Sequence, residues 1–440
     1  MKRCLRNGGL VNTEDRISHL PEALILHILS LLPTKDVVAT TVLSKQWRSV
    51  WKMVPKLKFD YKSNRSKHET FSRIVCRVLL SHKAPVLESL HINFNPDYID
   101  AAEIGMWIGI AYARQVRELV LDVYSDKGSS FKFPPSLYNC ETLETLTLQT
   151  WVLVHVPSQA CLKYLKTLDL YVDFEDEVSV VNLLSGCPKL ENLKVDRGTQ
   201  LNVETFTIAV PSLQRLTIYD YHEGQEIGGY VINAPCLKYL EIEGFDSHKF
   251  CLIENAPELV EAKIMNVSNI INENILGSLT SVERLCLDLS PLEITFPIGS
   301  IFYRLVYLEL DTYNAEWWNL LLLMLDASPK LQVLKLIGRF EKDGVKWSQP
   351  KNVPECLLLH LETFVWEGYK QLPEEEEEVA KYIIRNANRL KKAIFSTIPD
   401  EDSSILGQEV VKELESVVRA SNSCQLVIQM KDQSRFGDVV

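Results

Sequence analysis

The stretch LSKQWRSVW, residues 43–51, holds the side chains of this sequence that are best suited to contacting another macromolecule. Trp47 and Trp51 are four residues apart and share one face of a helix, while Arg48 and Lys52 lie mostly on another. Aromatic rings beside basic groups can stack on nucleic-acid bases and pair with phosphates, but aromatic pairs at this spacing more often build a core. The stretch is therefore a nucleic-acid contact, a core element or a protein-docking surface.

The charge of the whole chain disfavours nucleic acids and anionic membranes as partners. The 47 basic and 58 acidic residues give a net charge of -11, whereas phosphates and anionic lipids attract surfaces rich in lysine and arginine. The long apolar runs at 23–32 and 317–325 are shorter than the roughly 20 residues that span a bilayer, and the first lacks a signal-peptide cleavage site. We therefore predict no nucleic-acid partner and no membrane partner.

The sequence contains no recognisable pattern for catalysis or metal binding. Its cysteines form no CxxC pair and its histidines form no HxxxH or HExxH motif, so the spacing that is typical of zinc sites is missing. The patterns GxSxG, GxxxxGK[ST] and GxGxxG do not occur either. We predict a protein that is not an enzyme and needs no cofactor, with reduced cysteines, in the cytoplasm and/or the nucleus.

A repeated hexamer, LxxLxL, organises the middle of the chain and recurs at intervals of roughly 25 residues. The alternation at the end of each copy predicts a short strand with one buried face. Because a single unit cannot bury its own apolar face, neighbouring units must stack into a parallel sheet over a continuous core. The hexamers begin at Leu87, Val116, Leu143, Leu165, Leu190, Leu213, Leu237, Leu259, Val282, Leu305, Leu331 and Leu361.

The segments between the hexamers return the chain to the start of the next strand. Residues 69–82, 178–186 and 317–325 have the apolar spacing of helices. The whole pattern resembles the leucine-rich-repeat proteins over residues 57–361, but the asparagine that the family carries three residues past the strand occurs only at Asn95. We therefore expect an irregular solenoid with aromatic side chains packed at the strand ends. The candidates are Trp151, Tyr221, Phe245, Tyr313 and Tyr369.

Residues 15–51 have the pattern of three short helices. Pro21 suits the first turn of a helix, Pro33 ends that helix, and Thr34 or Asp36 can cap the next one. About forty residues cannot bury two apolar stripes internally, so the surplus apolar surface either packs on the first repeat or docks onto a partner. One stripe of the first helix is Leu20, Leu24, Ile28 and Leu31, and the other is Ile25, Leu29 and Leu32.

This segment resembles the F-box in the form that is common in plants. The matching residues are DRISxLP at 15–21, ILSxLP at 28–33 and VLSKxWR at 42–48, followed by Trp51. In that family the motif binds the small adaptor subunit of an SCF-type (cullin–RING) ubiquitin ligase, and through it the cullin. The resemblance implies adaptor contacts at Leu20, Pro21, Leu24, Ile28 and Leu32. It implies that Val42, Leu43 and Trp47 complete the docked surface or the helical core behind it.

The composition changes after residue 346. The patterns WSxP at 347–350, VPxCL at 353–357 and LExFxWxGY at 361–369 resemble the FBD domain, which follows leucine-rich repeats in plant F-box proteins. We expect an α+β cap on the open end of the repeats. The glutamate run at 374–378 should begin a helix, 408–419 another helix and 424–429 a final strand. The first of these helices should bury Val379, Ile383, Ile384 and Leu390 and carry Arg389, Lys391 and Lys392 near its end.

The exposed side of the predicted strands is where a target protein is expected to bind. Half of the hexamers are followed by an acidic residue, and others carry tyrosines there or earlier along the strand. Tyrosines and charges suit a basic protein or peptide, although acidic side chains can also serve only to keep an exposed sheet soluble. The candidate target-binding residues are Tyr171, Tyr219, Tyr239, Tyr307, Asp196, Glu243, Asp288 and Asp311.

The sequence thus predicts an α/β chain: a leucine-rich-repeat solenoid with an N-terminal three-helix F-box and a C-terminal α+β FBD cap. We expect a flexible tail at 1–14, the F-box at 15–55, the repeats at 56–345, and the FBD domain with the last repeat strand at 346–440. The resemblance implies a non-catalytic subunit that binds the SCF adaptor and presents a target protein for ubiquitination. The alternative is a leucine-rich-repeat scaffold or sequestering protein without ligase function.

Overall fold

The computed structural model divides the chain into two compact units, Met1–Val152 and Leu153–Val440. The residues that it describes are 20–43, 47–61, 68–125, 132–150, 152–197, 202–221, 227–245, 248–267, 275–289, 296, 299–312, 317–338, 347–369, 374–397, 414 and 416–430.

The first unit opens with short helices. Helix α1 spans Glu22–Ser30, α2 spans Thr34–Ala39 and runs into a 3-10 turn at Thr40–Val42, and α3 spans Trp47–Val50 and runs into a 3-10 turn at Trp51–Met53. Prolines precede α1 and α2 because a proline at a helix start loses no hydrogen bond and has a fixed φ.

The cap predicted for α2 is wrong. Pro33 holds the cap position, and its carbonyl oxygen accepts hydrogen bonds from the backbone N–H groups of Asp36 and Val37. The Thr34 hydroxyl instead accepts a hydrogen bond from the backbone N–H of Lys58, at 2.7 Å. This bond ties α2 to the first strand of the unit.

Among the described residues of the first unit four strands follow, with an α-helix in each of the first two connections and a 3-10 turn at Pro135–Tyr138 in the third. Strands β1 (Lys56–Asp60), β2 (Ser89–Phe94), β3 (Glu118–Val123) and β4 (Thr145–Thr150) pair in parallel, in chain order. Helix α4 spans His68–Ser81, which confirms the helix predicted there, and α5 spans Ala101–Ala113. The Asp100 side chain caps α5 by accepting a hydrogen bond from the backbone N–H of Glu103. Buried and partly exposed residues alternate along β3 and β4, so the leucines of each hexamer face the core.

The second unit contains a long parallel sheet that continues this pattern. In spatial order its strands are β5 (Thr167–Tyr171), β6 (Asn192–Asp196), β8 (Arg215–Tyr219), β10 (Tyr239–Glu243), β12 (Glu261–Val267), β13 (Arg284–Leu289), β14 (Tyr307–Asp311), β15 (Val333–Ile337), β16 (Thr363–Glu367), β17 (Lys392–Thr397) and β18 (Gln425–Met430). All neighbours pair in parallel. These strands confirm the α/β class.

A second, smaller parallel sheet in this unit was not expected from the sequence. Its strands are β7 (Thr205–Ala209), β9 (Ile227–Asn233) and β11 (His248–Asn255), with β9 in the middle. Each lies in a return segment between two hexamers, where the repeat pattern itself predicts no strand. The return segments of this part of the chain are therefore extended instead of helical.

Helices occupy other return segments of the second unit: α6 (Glu177–Ser185), α7 (Ile275–Ser278), α8 (Trp317–Ala327), α9 (Glu355–Leu359) and α10 (Glu374–Asn386). The helices predicted at 178–186, 317–325 and from 374 are confirmed. Val379, Ile383, Ile384 and Leu390 are buried as predicted. The placement of Arg389, Leu390, Lys391 and Lys392 in this helix or at its end is wrong, because α10 ends at Asn386 and Lys392 begins β17. Most of the helix predicted at 408–419 lies outside the described residues, and the predicted final strand is β18.

Aromatic packing at the strand ends is found at two of the predicted positions. Phe245 and Tyr369 are buried, whereas Tyr221 is exposed; Trp151 and Tyr313 lie outside the described residues. The Tyr369 ring packs edge-on against Phe395 at a centroid distance of 5.1 Å. Among the described residues, no helix is long and apolar enough to cross a bilayer.

Candidate functional site

The first helices of the chain divide their apolar residues between a core and an uncovered surface. Ile25 and Leu29 of α1 are each 1% exposed and face inward. Their core cluster is completed by Val37, Trp47, Val50 and Val54. The adjacent stripe of α1 points outward: Ile28 is 45% exposed and Leu31 is 73% exposed. The two apolar sides of α1 therefore have different environments, and among the described residues the chain buries only Ile25 and Leu29 of this helix.

The residues that the F-box resemblance assigns to the adaptor fall on both sides of this division. Leu24, Ile28 and Leu32 are exposed, and so are Val42 and Leu43 beyond α2, with Val42 85% exposed. Pro21 is exposed and Leu20 is partly buried, packed against the core cluster. Trp47 is buried in that cluster and has the core role of the two roles implied for it.

The burial of Trp47 also decides the chemistry of the Trp47–Trp51 pair. Base stacking needs a ring face open to solvent, and the Trp47 ring is only 5% exposed. Trp51 is partly buried against the same cluster, with the Lys52 ammonium 5.8 Å from its ring centroid. The pair is therefore a core element.

An exposed apolar stripe is costly to leave in water. Full burial of one leucine or isoleucine side chain contributes about 1.5 to 3 kcal/mol, so a partner that covers the outward residues of α1 gains several such contributions, reduced by their existing partial burial. Patches of this kind on a folded protein mark interaction surfaces. The arrangement suits a hydrophobic protein partner.

The sheet of the second unit has one buried face and one open face, because buried and partly exposed residues alternate along its strands. Side chains at equal positions of neighbouring strands form three rows across the open face. The amino row includes Arg215, Tyr239, Glu261, Arg284 and Tyr307. The middle row includes Asp169, Lys194, Thr217, Glu241, Lys263, Cys286, Glu309 and Lys335. The carboxyl row includes Tyr171, Asp196, Tyr219 and Glu243.

Cations on the open face are held by aromatic rings. The Lys194 ammonium lies 4.9 Å from the ring centroids of both Tyr171 and Tyr219. The guanidinium groups of Arg215 and Arg284 stack on tyrosines of the next strands, at 4.0 Å from the Tyr239 centroid and 3.9 Å from the Tyr307 centroid. These contacts are cation–π interactions.

Ion pairs and hydrogen bonds also connect side chains of the open face. Lys335 lies between two carboxylates, 3.2 Å from Glu309 and 3.6 Å from Glu367. The Tyr307 hydroxyl donates a hydrogen bond to Glu309 at 2.7 Å. Burial raises the pKa of Glu309, but this hydrogen bond and the Lys335 charge outweigh burial, so the pKa of Glu309 is lowered overall.

The eight residues predicted to bind a target do not form one patch. Tyr171, Asp196, Tyr219 and Glu243 are successive neighbours in the carboxyl row, and Tyr239 lies on the same strand as Glu243. Tyr307 lies three strands further along the sheet.

The exposure expected for Asp288 and Asp311 is not found. Their side chains are 5% and 6% exposed, because β13 and β14 are covered on both faces where they end, as the burial of Leu289 and Thr312 also shows. A covered carboxylate cannot contact a partner protein, so these two positions are removed from the candidate surface.

A buried ionic cluster lies between the two sheets of the second unit, and sequence reasoning missed it. Oδ2 of Asp220 lies 3.5 Å from Arg197 Nη1 and 3.2 Å from His248 Nε2, and it accepts a hydrogen bond from the Tyr230 hydroxyl. Burial, and next the Asp220 charge, raises the pKa of Tyr230 well above its usual value, so the hydroxyl keeps its proton. Arg197 also donates a hydrogen bond to the Val203 carbonyl. In the sequence, Arg197 and Asp220 resemble the solvated charges that follow other strands, so nothing in their positions indicated that they are buried.

The described cysteines are free thiols. Burial raises the pKa of Cys187, Cys251 and Cys356 to about 12, so these groups are protonated at neutral pH and are poor nucleophiles. Within the described ranges, no group of three or more histidine, cysteine, aspartate or glutamate side chains is arranged to hold a metal ion.

Comparison with protein families matches three parts of the chain. The model of the F-box domain matches residues 17–59, the model described as FBD-associated F-box protein At5g56370, LRR repeats, matches 104–261, and the FBD model matches 349–395. The F-box match covers α1 to β1 except for Asp60, and the FBD match covers α9 to β17 except for the last two residues of that strand.

Several proteins of Arabidopsis thaliana are similar over nearly the whole chain. F-box/FBD/LRR-repeat protein At3g52680 is 57% identical over 97% of this chain and 96% of its own length. Putative F-box/FBD/LRR-repeat protein At4g13965 is 57% identical over 98% of this chain and 100% of its own length. F-box/LRR-repeat protein At3g26922 is 69% identical over 67% of this chain and 96% of its own length.

Proposed function

Because the chain belongs to the plant F-box proteins that combine leucine-rich repeats with an FBD domain, we propose that it is the substrate-recognition subunit of an SCF-type ubiquitin ligase. Residues 15–55 bind the adaptor subunit and through it the cullin, and the repeats of residues 56–345 bind a target protein. The ligase acts in the cytoplasm and/or the nucleus.

The observation that carries this proposal is the outward stripe of α1. Leu24, Ile28 and Leu31 repeat at helical spacing and are exposed, while Ile25 and Leu29 between them hold the core. An isolated helical cap would need only the inward residues. The outward residues, with Val42 and Leu43, therefore support a function in binding the adaptor.

The mechanism that we propose is proximity. A target held on the repeats keeps its lysines near a ubiquitin-charged enzyme, which raises the effective concentration of the two reacting groups. This chain then supplies binding and orientation only, and the bond chemistry belongs to the other subunits.

In the same proposal the repeats form a solenoid and the FBD domain of residues 346–440 caps its open end. Strands β16 and β17 support this, since they extend the sheet beyond β15 with the same parallel register. A cap of this kind shields the last repeat, which otherwise exposes an apolar end.

A capture experiment with the purified adaptor subunit tests the proposal. The wild-type chain, Ile28→Glu and Val42→Glu are compared with Leu80→Glu, a matched control because Leu80 is also exposed (68%) on a helix of the first unit. We expect wild type and Leu80→Glu to bind the adaptor and the other two variants to lose about tenfold or more in affinity, since a buried unpaired charge is costly.

Two results would contradict the proposal. A folded wild-type chain that fails to bind the adaptor would favour the scaffold or sequestering protein. Equal losses in all three variants would show that the outward residues of α1 and Val42 have no special role.

A further inference from the structure

We propose that the carboxyl row recognises an extended, arginine-bearing segment of the target, with two arginines three residues apart that bind Asp196 and Glu243. The inference rests on the proposed function in one respect, namely that the bound segment belongs to a ubiquitination target. The binding itself depends only on the second unit.

Aromatic and acidic side chains alternate along the carboxyl row. Tyr171, Asp196, Tyr219 and Glu243 occupy the same position on four adjacent strands. All four are partly exposed. Each carboxylate therefore has a tyrosine beside it, which is the pair of groups that a guanidinium prefers: a carboxylate for its N–H groups and a ring for its flat face.

The three rows of the open face differ in charge, and the carboxyl row is the one in which acidic residues are not balanced by basic ones. From β5 to β15 the middle row alternates acids and bases: Asp169, Glu241 and Glu309 against Lys194, Lys263 and Lys335. From β6 to β13 the amino row holds Arg215 and Arg284 against Glu261. From β5 to β10 the carboxyl row holds Asp196 and Glu243 and no basic residue. A cationic partner is therefore attracted to the carboxyl row.

The cations of the neighbouring rows are engaged elsewhere. Arg215 stacks on Tyr239, and Lys194 lies between Tyr171 and Tyr219. In the described part of the chain, no lysine or arginine nitrogen lies within ion-pair distance of the Asp196 or Glu243 carboxylate. Among the described residues, the hydrogen bonds that Glu243 accepts come from neutral groups, the Tyr221 hydroxyl at 2.5 Å and the Asn266 amide at 3.4 Å.

The desolvation of Asp196 strengthens the case for a cationic ligand. Burial raises the pKa of Asp196, and the nearby Lys194 charge only partly opposes this effect. A carboxylate that has lost part of its hydration gains more from a new charged partner than a fully solvated one does.

Strand spacing sets the separation of the two arginines. Asp196 and Glu243 lie two strands apart, which corresponds to about 10 Å, because neighbouring strands are about 4.8 Å apart. A peptide in the extended polyproline II conformation has three residues per turn and advances about 3.1 Å per residue, so side chains at positions i and i+3 lie on the same face, about 9 Å apart. A segment that crosses the strands along the carboxyl row can then reach both carboxylates at once.

The protein shows why arginine is preferred to lysine at this surface. Arg215 and Arg284 both stack on tyrosines of the same open face, at 4.0 and 3.9 Å from the ring centroids, closer than the Lys194 ammonium at 4.9 Å. A planar guanidinium keeps this stacking while it donates two parallel hydrogen bonds to a carboxylate, and an ammonium cannot do both.

Fluorescence anisotropy with labelled synthetic peptides and the full chain tests the inference. The probe GSRSSRSG is compared with GSQSSQSG, GSKSSKSG and GSSRRSSG at about 50 mM salt, where exposed charges are weakly screened. We expect GSRSSRSG to bind most tightly, GSKSSKSG and GSSRRSSG about fivefold more weakly, and GSQSSQSG not measurably.

Variants of the chain assign the binding to the carboxyl row. We expect Asp196→Asn/Glu243→Gln to lose about tenfold in affinity for GSRSSRSG, and Tyr219→Leu, which keeps both charges, to lose about fivefold. Glu258→Gln is the matched control, since Glu258 is exposed in a turn before β12. The circular dichroism spectrum and the thermal unfolding midpoint of each preparation confirm that the chain is folded.

The outcomes separate this inference from the proposed function. Undetectable binding of GSRSSRSG to an adaptor-binding chain, or equal binding to wild type and Asp196→Asn/Glu243→Gln, overturns the arginine site and leaves the ligase role standing. Peptide binding that depends on Asp196 and Glu243 in a chain without adaptor affinity supports the site and overturns the ligase role.

Discussion

Nε2 of His82 lies 2.8 Å from the carbonyl oxygen of Val54, which joins the end of α4 to the core of the first helices. His82 is 1% exposed. Burial lowers its pKa, and so does the Arg114 charge, while the bond to Val54 raises it by less. Because a carbonyl can only accept, the neutral imidazole must carry its proton on Nε2.

This contact predicts that the first unit loses stability in mild acid. The folded-state pKa of His82 is below its usual value of 6.5, so its contribution is fully present above 6.5 and is lost as the pH falls through the folded-state pKa. Denaturant unfolding of wild type, His82→Gln and His27→Gln at pH 7.5 and about 5 measures the effect. We expect acidification to lower the free energy of unfolding less in His82→Gln than in wild type, because glutamine has no group that titrates in this pH range. His27→Gln changes an exposed position, so its free energy of unfolding should fall as much as that of wild type. Equal decreases in all three proteins would contradict the assignment of the acid sensitivity to His82.

The neighbours Ile28 and Leu29 should separate binding from stability. Leu29→Ala leaves a cavity in the core cluster and should lower the free energy of unfolding by about 2 to 4 kcal/mol. Ile28→Ala removes an exposed side chain, so it should change stability by less than about 0.5 kcal/mol while it weakens adaptor binding. Chemical denaturation and adaptor titration of both variants check this, and the reverse ranking would show that the wrong stripe was assigned to the core.

Asp220 should be among the most sensitive polar positions of the second unit. Asp220→Asn leaves the buried Arg197 charge without its counter-ion, which should cost about 3 to 5 kcal/mol in the free energy of unfolding. Tyr230→Phe removes one hydrogen bond and should cost about 1 to 2 kcal/mol. The control Glu204→Gln breaks an exposed ion pair with Lys249 and should cost less than about 1 kcal/mol. Thermal and denaturant unfolding rank the three variants by their loss in the free energy of unfolding. A loss below about 1 kcal/mol for Asp220→Asn would show that the ionic cluster does not stabilise the second unit.

Lys335 should stabilise the sheet in a pH-dependent way. Lys335→Met leaves Glu309 and Glu367 as two like charges and should cost about 1 kcal/mol at neutral pH. Since the pKa of Glu309 is below its usual 4.5 in the folded state, its contribution is present above 4.5 and is lost as the pH falls through the folded-state pKa. The difference between wild type and Lys335→Met should therefore shrink in acid. Lys330→Met, at an exposed turn, serves as the control and should show no pH-dependent difference from wild type.

Local patterns in the sequence determined where most elements begin and which side of each strand is buried. Each hexamer predicts its strand because the period-two alternation is read within six residues, as at Leu168 and Leu170 of β5. Pro21 and Pro33 precede the first two helices for an equally local reason, the fixed φ of proline. The F-box, repeat and FBD resemblances likewise rest on contiguous motifs.

Only the tertiary structure decided which of several equivalent residues are covered. Both stripes of α1 are apolar, so the sequence cannot tell Ile25 and Leu29 from Leu24 and Ile28, and contacts with Trp47 and Val50 make the choice. The acidic residues after the strands look alike in the sequence, yet Asp196 stays accessible while Asp288 and Asp311 are covered at the ends of β13 and β14. The sheet of β7, β9 and β11, and the ion cluster of Arg197 and Asp220, arise from pairing between segments that are distant along the chain. Periodicity reports on neighbours within a few residues, whereas burial depends on which segments meet in space.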